Sequence, residues 1–332
     1  MKRICASILI SICLLGCFDC EAETIWGIAE NVNSDVCTLI ELDLDAACCT
    51  RYDLPTSGMY LVADASNESV YLVRDADCGS HLFKLNEARE PVLKDTYSRI
   101  KRAFGFYDGW LYGTGVDCIA RQKEDEYQEL CVAPAGYAFR DGRNFKPAIS
   151  LDGKVAYIER TDNGAKLCVV DPGGADPEPG TYRYKIKMLG DFREYALCEG
   201  DNPRGDVAKD ILWMDSENVL CFRQSYTGDG QLYYEAIAVD TTDGRIVPVK
   251  LENGEPLRLE NCTLSGLTAP SRVANDLYIS MRIPDDPMWY MYNEVGVPFD
   301  IYRLSCDTGE KSVVLELDSG EYLIDGSRIV VQ

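Results

Sequence analysis

The feature that most constrains this chain is a strand-and-turn grammar repeated along its length. The clearest copy runs from Lys146 to Asp171, KPAISLDGKVAYIERTDNGAKLCVVD. Its KVAYIE segment (Lys154 to Glu159) is largely apolar at consecutive positions, as in a strand covered on both faces. Asp162, Asn163 and Gly164 supply residue types that tolerate the positive φ of a tight hairpin turn. AKLCVVD then returns, and PGG turns the chain again. Upstream, KPAIS is a short strand stopped by Asp152 and Gly153, and TYRYKIKML, beyond PGGADPEPG, is the candidate fourth strand.

The same grammar recurs in GMYLVADASNESVYLVRDADCGSHLFKLN and in AFGFYDGWLYGTGVDCIARQKEDEYQELCVA, the latter with Asp108 and Gly109 at its first turn. It recurs again in ILWMDSENVLCFRQSYTGDGQLYYEAIAVDTTDGRIVPV, and SRVANDLYISMR and DIYRLSCDTGEKSVVLEL bracket an insertion in a further copy. The third strand of a copy repeatedly ends in Asp or Asn: Asn86, Asp171, Asp240 and Asp307. Helical periodicity is nearly absent; NEAREPVLKDTYSRIKRA is the best helical candidate, and Pro91 interrupts it.

Four-stranded units recurring at ~40–50 residues define an all-β fold, a β-propeller of four-stranded antiparallel sheets. Each unit has two apolar faces that only neighbouring units can cover. Six blades fit the count best, with seven as the alternative; a solenoid or β-sandwich uses similar hairpins. The sixth blade is shared between the C-terminal GEYLIDGSRIVVQ and the N-terminal TIWGIAENVNSDVCTLIELDLDAACCTRYDL, closing the ring with strands from both ends. The expected organisation is therefore a leader over residues 1–23 and a single propeller over 24–332.

The leader has its own logic. Lys2 and Arg3 precede the apolar ICASILISICLLG, a run too short for a membrane span of ~20 residues but suited to a secretory signal. LLGC (Leu14 to Cys17) resembles a bacterial lipobox, which implies lipidation of Cys17, although Leu15 stands where a small residue is usual. Cleavage after Ala22 is the alternative, giving a secreted rather than a lipid-anchored protein. Either route leads out of the cytoplasm, to the periplasm, the cell surface or the medium. Of 15 cysteines, four (Cys5, Cys13, Cys17 and Cys20) fall in this leader. Cys118 and Cys131 flank a charged hairpin tip and are candidates to face each other across two strands; Cys168 and Cys221 read as buried small hydrophobes.

The segment PAISLDGKVAYIERTDNGAKLCVVD resembles the WD40-like repeat of TolB-type propellers. Pro147, Ser150, Asp152, Gly153, Lys154, Ala156 and Asp171 match that pattern, and Leu151 replaces its usual proline. The close match covers about 25 residues and the looser one most of the chain. The resemblance implies an extracytoplasmic binding scaffold, or the gating propeller of a peptidase, and specifies no ligand.

Composition narrows the chemistry. With 33 basic and 55 acidic residues the net charge is −22, which repels phosphate backbones and argues against nucleic acid as a partner. His81 is the only histidine, so any Ser-His-Asp triad or multi-histidine metal centre would have to use it. There is no G-x-S-x-G, no P-loop and no dinucleotide fingerprint. No cofactor is expected. Ca²⁺ at the Asp-rich turns LDLD and DADCG lacks the regular ligand spacing of a calcium loop, and such acids ordinarily serve hairpin turns.

The insertion PDDPMWYMYNEVGVPFD is the leading binding candidate. It exceeds the ~2–5 residues a hairpin needs and places Trp289, Tyr290, Tyr292 and Phe299 among acids and prolines. Exposed aromatics are what sugars and peptides stack on; the alternative is that the rings cover a blade edge. The expectation is an exported, non-catalytic scaffold for a protein, peptide or glycan. Its rival is a carboxylate-dependent enzyme acting on a saccharide in the central funnel.

Overall fold

The computed structural model describes residues 24–331 apart from 32–35, 47, 67–68, 78, 116–117, 133–146, 162–163, 174–181, 184–185, 188–190, 200–207, 229, 265–270, 274, 284–298, 319–320 and 324–328. The described residues form no helix. Six antiparallel sheets stand in a ring as a six-bladed β-propeller.

Blade 1 contains β1 (Thr24–Asn31), β2 (Cys37–Asp43) and β3 (Cys48–Asp53). Blade 2 is β4 (Met59–Ala63), β5 (Val70–Ala76), β6 (Gly79–Leu85) and β7 (Pro91–Tyr97). Blade 3 is β8 (Lys101–Tyr107), β9 (Trp110–Thr114), β10 (Cys118–Lys123) and β11 (Glu126–Val132). Blade 4 has β12 (Ala148–Ile149), β13 (Val155–Thr161) and β14 (Gly164–Asp171); beyond a small separate hairpin, β15 (Tyr182–Arg183) and β16 (Ile186–Lys187), it ends with β17 (Asp191–Glu199). The fourth strand is thus not TYRYKIKML, which holds the separate hairpin, but the segment after it, which pairs with β14 over its whole length.

Blade 5 is β18 (Ala208–Trp213), β19 (Asn218–Tyr226), β20 (Leu232–Asp240) and an outer strand in two pieces, β21 (Ile246–Pro248) and β22 (Arg258–Glu260). Blade 6 has an inner strand in two pieces, β23 (Thr263–Leu264) and β24 (Ser271–Val273), then β25 (Asp276–Arg282), β26 (Asp300–Ser305) and β27 (Lys311–Leu315). The last segments, β28 (Glu321–Leu323) and β29 (Val330–Val331), both pair with β1, so blade 1 takes its inner strand from the far end of the chain.

Alternation explains how apolar strands are covered. In β1, Trp26 and Ile28 belong to a cluster with blades 2 and 3, while Ile25 and Ala29 face Tyr278, Ile301 and Leu315 of blade 6. Three further clusters fill the interfaces of blades 3 and 4, 4 and 5, and 5 and 6. Each large aliphatic side chain buried there contributes roughly 1.5–3 kcal/mol. Pro91, read as breaking a helix, opens the edge strand β7, where a missing N–H goes unmissed.

The repeat signature has a hydrogen-bond basis. In the turn between β12 and β13, Ser150 N–H donates to Lys154 O (2.9 Å), Lys154 N–H donates to Ser150 Oγ (2.9 Å), and Ser150 Oγ–H donates to the Asp152 carboxylate. Lys154 Nζ pairs with Asp152 (2.8 Å) and reaches Ser216 O of the next blade (2.9 Å). Burial opposes it, but the bonds from Lys154 and Ser150 hold the Asp152 carboxyl below its usual range. The Asn and Asp residues ending the third strands make Asx turns: Asn86 accepts the N–H of Ala88, Asp171 that of Gly173, and Asp240 that of Thr242.

Candidate functional site

In a four-stranded antiparallel blade, with strands A to D from the inside outward, the B–C turn and the link to the next blade leave from one end. The A–B and C–D turns leave from the other. The A–B/C–D end carries the Asx-braced turns just described and, in the C–D connection of blade 4, the separate hairpin of β15 and β16. Segments 133–146, 200–207 and 284–298 all join described strands at the B–C end.

Of the expected binding residues, Trp289, Tyr290 and Tyr292 lie outside the described residues. Phe299 immediately precedes β26 and is half-buried. The Arg282 guanidinium lies 5.1 Å from its ring centroid, and Ser280 Oγ–H donates to its carbonyl oxygen (3.4 Å). Next to it, burial raises the Asp300 carboxyl above its usual value; the Leu317 N–H (2.9 Å) opposes this and the Glu316 charge adds to it.

Three features missed in the sequence share the end of the ring at which that insertion joins β25 to β26. Tyr226, Ile283 and Val36 are 42%, 40% and 42% exposed, and they sit on the B–C connections of blades 5, 6 and 1, three consecutive blades. Among the described residues, the other exposed large hydrophobics lie on outer strands (Val92, Leu93, Val247 and Val313) or in the blade 4 A–B turn (Leu151). Each of the three stands at the margin of an apolar strand, so periodicity reads it as one more core residue. Only the blade count reveals that they share an end of the ring.

The remaining candidates resolve differently. His81 lies in β6 opposite Arg74 and Thr96, edge-on to Phe83, and Cys78 lies outside the described residues. Cys118 opposes Val132 and Cys131 opposes Ile119, so the two cysteines do not face each other: the one-residue offset sends them to opposite faces of blade 3. Cys118 joins the cluster shared with blades 1 and 2, and Cys131 the one shared with blade 4. Asp43 of LDLD accepts the Ala46 N–H, and Asp75 of DADCG accepts from Tyr60 and Ser80, each the work of a turn or a brace. Among the described residues no three His, Cys, Asp or Glu side chains converge on one point, and no helix is long and apolar enough to cross a membrane.

Comparison with known proteins agrees at the level of fold. The chain is similar to the crystal structure of TolB from Acinetobacter baumannii, with a TM-score of 0.54 and 11% identity over 91% of this chain. It spans 66% of that TolB chain. A protein from Lactobacillus plantarum follows at a TM-score of 0.45 and 14% identity, covering 90% of this chain and 82% of that one. No family model matches the sequence, and no curated protein matches it. The fold is that of the TolB-like, WD40-like propellers, as the repeat resemblance implied.

Proposed function

We propose that this chain is an exported, non-catalytic propeller scaffold that binds a protein, peptide or glycan at the B–C end of blades 5, 6 and 1. The observation that carries this reading is that exposed Tyr226, Ile283 and Val36 stand on the B–C connections of three consecutive blades, the middle one of which carries the aromatic insertion in its sequence. Isolated apolar side chains on a surface mean little, but a set on the B–C connections of consecutive blades, one of which carries Trp289, Tyr290, Tyr292 and Phe299 in its sequence, is a recognition surface in composition. The leader supports export, with lipidation at Cys17 or cleavage after Ala22 as its two outcomes; the intact mass of the mature protein distinguishes them. TolB, whose fold the chain shares, supports an extracytoplasmic place only by analogy.

The test is a binding screen of the mature protein, from residue 24, against a glycan array and extracts of its native envelope. A Trp289→Ala/Tyr292→Ala variant and a Tyr226→Ser variant run alongside. Binding lost in both variants supports the surface. Binding undiminished in both places the site elsewhere on the ring and refutes this reading.

A further inference from the structure

Five of the six outer strands are interrupted, and β3 is not. A bulge adds one residue to β7 (Lys94), β11 (Leu130), β17 (Leu197) and β27 (Val314), where the residues on either side of it oppose consecutive residues of the neighbouring strand. In blade 5 the outer strand breaks between β21 and β22. Bulges occur inside the ring as well, as at Arg102 (φ 46°) of the inner strand β8. On an outer strand they have a particular effect, because a bulge or a break spoils the row of free N–H and C=O groups that an edge offers to a foreign strand.

That row is intact on blade 1. β3 pairs with β2 in unbroken register from Thr38–Asp53 to Asp43–Cys48, and among the described residues no strand pairs with its other side. All its residues are exposed except half-buried Tyr52. Leu54 N–H donates to Cys37 O (2.8 Å) one step beyond the last pair, so the hydrogen-bonded pairs recur at Tyr52, Thr50 and Cys48. The backbone groups of Cys49, Arg51 and Asp53 therefore point away from the blade, and their side chains share one face. Arg51 Nη1 reaches Glu321 Oε1 (2.5 Å), but its other guanidinium nitrogens have no partner among the described residues. The exposed Asp53 carboxylate has none either.

Such an edge accepts an extended strand. A second copy, turned about a two-fold axis, brings its own β3 up antiparallel and must set outward residues against outward residues. An axis at Arg51 opposes two arginines, and one at Asp53 opposes two carboxylates. An axis at Thr50 sets Arg51 against Cys49, and one at Cys49 carries Arg51 past the end of the strand. An axis at Tyr52 places Arg51 of each copy opposite Asp53 of the other, bonded through the backbone in both directions and paired in charge. The net charge of −22 opposes the approach of two copies, but at physiological ionic strength it is screened beyond ~8 Å, whereas these pairs meet at contact.

We propose that β3 is a self-association edge, through which two copies of this chain join their first blades into one continuous sheet with Tyr52 on the two-fold axis. The surface lies on the outer rim and does not depend on the aromatic insertion.

The experiment is sedimentation velocity on the mature protein from ~1 to ~100 µM at ~0.15 M salt, with a reductant to keep Cys48 and Cys49 as thiols, joined to hydrogen exchange at both concentrations. A small edge-to-edge contact predicts a reversible dimer with a Kd of roughly tens of micromolar. Amides of residues 49–53 should slow with concentration while the rest of the ring does not. Asp53→Lys sets like charges opposite each other and is expected to weaken association roughly tenfold or more at unchanged Tm. Asp53→Pro removes an outward N–H, leaves the ladder to β2 whole, and should weaken it as much. A parent that stays monomeric throughout, a dimer that both variants keep, or concentration-dependent protection elsewhere would each overturn the proposal. Protection of 49–53 that appears only when an envelope extract is added would assign the edge to a foreign strand and overturn it too.

Discussion

Arg89 grips Glu41 at two points, Nε to Oε2 at 3.0 Å and Nη2 to Oε1 at 2.5 Å, and so ties the C–D turn of blade 2 to the third strand of blade 1. Tyr52 Oη–H donates to the same carboxylate (2.9 Å), and the guanidinium lies 4.9 Å from the Trp26 ring centroid. Comparable ties occur farther around the ring. Arg193 Nη1–H donates to Thr241 O (3.0 Å) between blades 4 and 5, and Glu252 N–H to Asp307 O (2.9 Å) between blades 5 and 6. A double-mutant cycle on Glu41→Gln and Arg89→Ala should give a coupling of about 1 kcal/mol in urea unfolding. Additive single effects would show that the pair is only a surface contact.

Two glycines separate steric from conformational cost. A Cβ on Gly79 (φ 139°) would lie 2.1 Å from Tyr97 O, a backbone atom, whereas one on Gly230 (φ 87°) would meet nothing within 4 Å. Gly79→Ala is therefore expected to lose ~3 kcal/mol or more, or to fail to fold, and Gly230→Ala to lose only ~1 kcal/mol. Similar midpoints for the two variants would contradict the close approach of β6 to the link after β7.

Asp300 gives a pH dependence with a definite sign. Its carboxyl is raised above the ordinary 3.8, so its contribution to stability is complete below that value and is lost as pH rises through the folded one. Asn keeps an acceptor for the Leu317 N–H and carries no charge. Asp300→Asn should therefore gain stability relative to the parent as pH rises above 3.8. A Tm difference that is flat across this range, or that runs the other way, would show the carboxylate to be well accommodated.

Thiol reactivity should follow position in the blade. Cys48 and Cys49 are exposed on the outer strand β3, whereas Cys37, Cys221 and Cys262 are buried. Burial, with Glu30 adding to it, pushes the Cys37 thiol up to about 11. Alkylation of the native protein, mapped by mass spectrometry, should label Cys48 and Cys49 well before the other three. Early labelling of Cys221 would mean that the interface of blades 4 and 5 opens readily.

The ring was legible in the sequence because its punctuation is local. Asx turns, Asp-Gly hairpins and doubly apolar strands each declare themselves within ten residues or so. TYRYKIKML misled because its alternation is real but is satisfied by a partner within the same segment. Tyr226, Ile283 and Val36 were hidden because exposure at a strand margin depends on the neighbouring blade. The bulge at Arg102 left no signature either, since glycine, the residue that would mark it, is absent there.

The pairing of β1 with β28 and β29 also fixes an order of events. Blade 1 lacks its inner strand until residues 321–331 have been made, so Ile25, Ala29 and Ile40 have no complete cover before then. The interface of blades 1 and 6 therefore stays incomplete until those segments are present. Ile25 stands directly beside Val331, so a variant in which Thr24 is joined to Val331 through a short linker and the chain is opened at the Asp108–Gly109 turn should keep the same ring with its seam moved to blade 3.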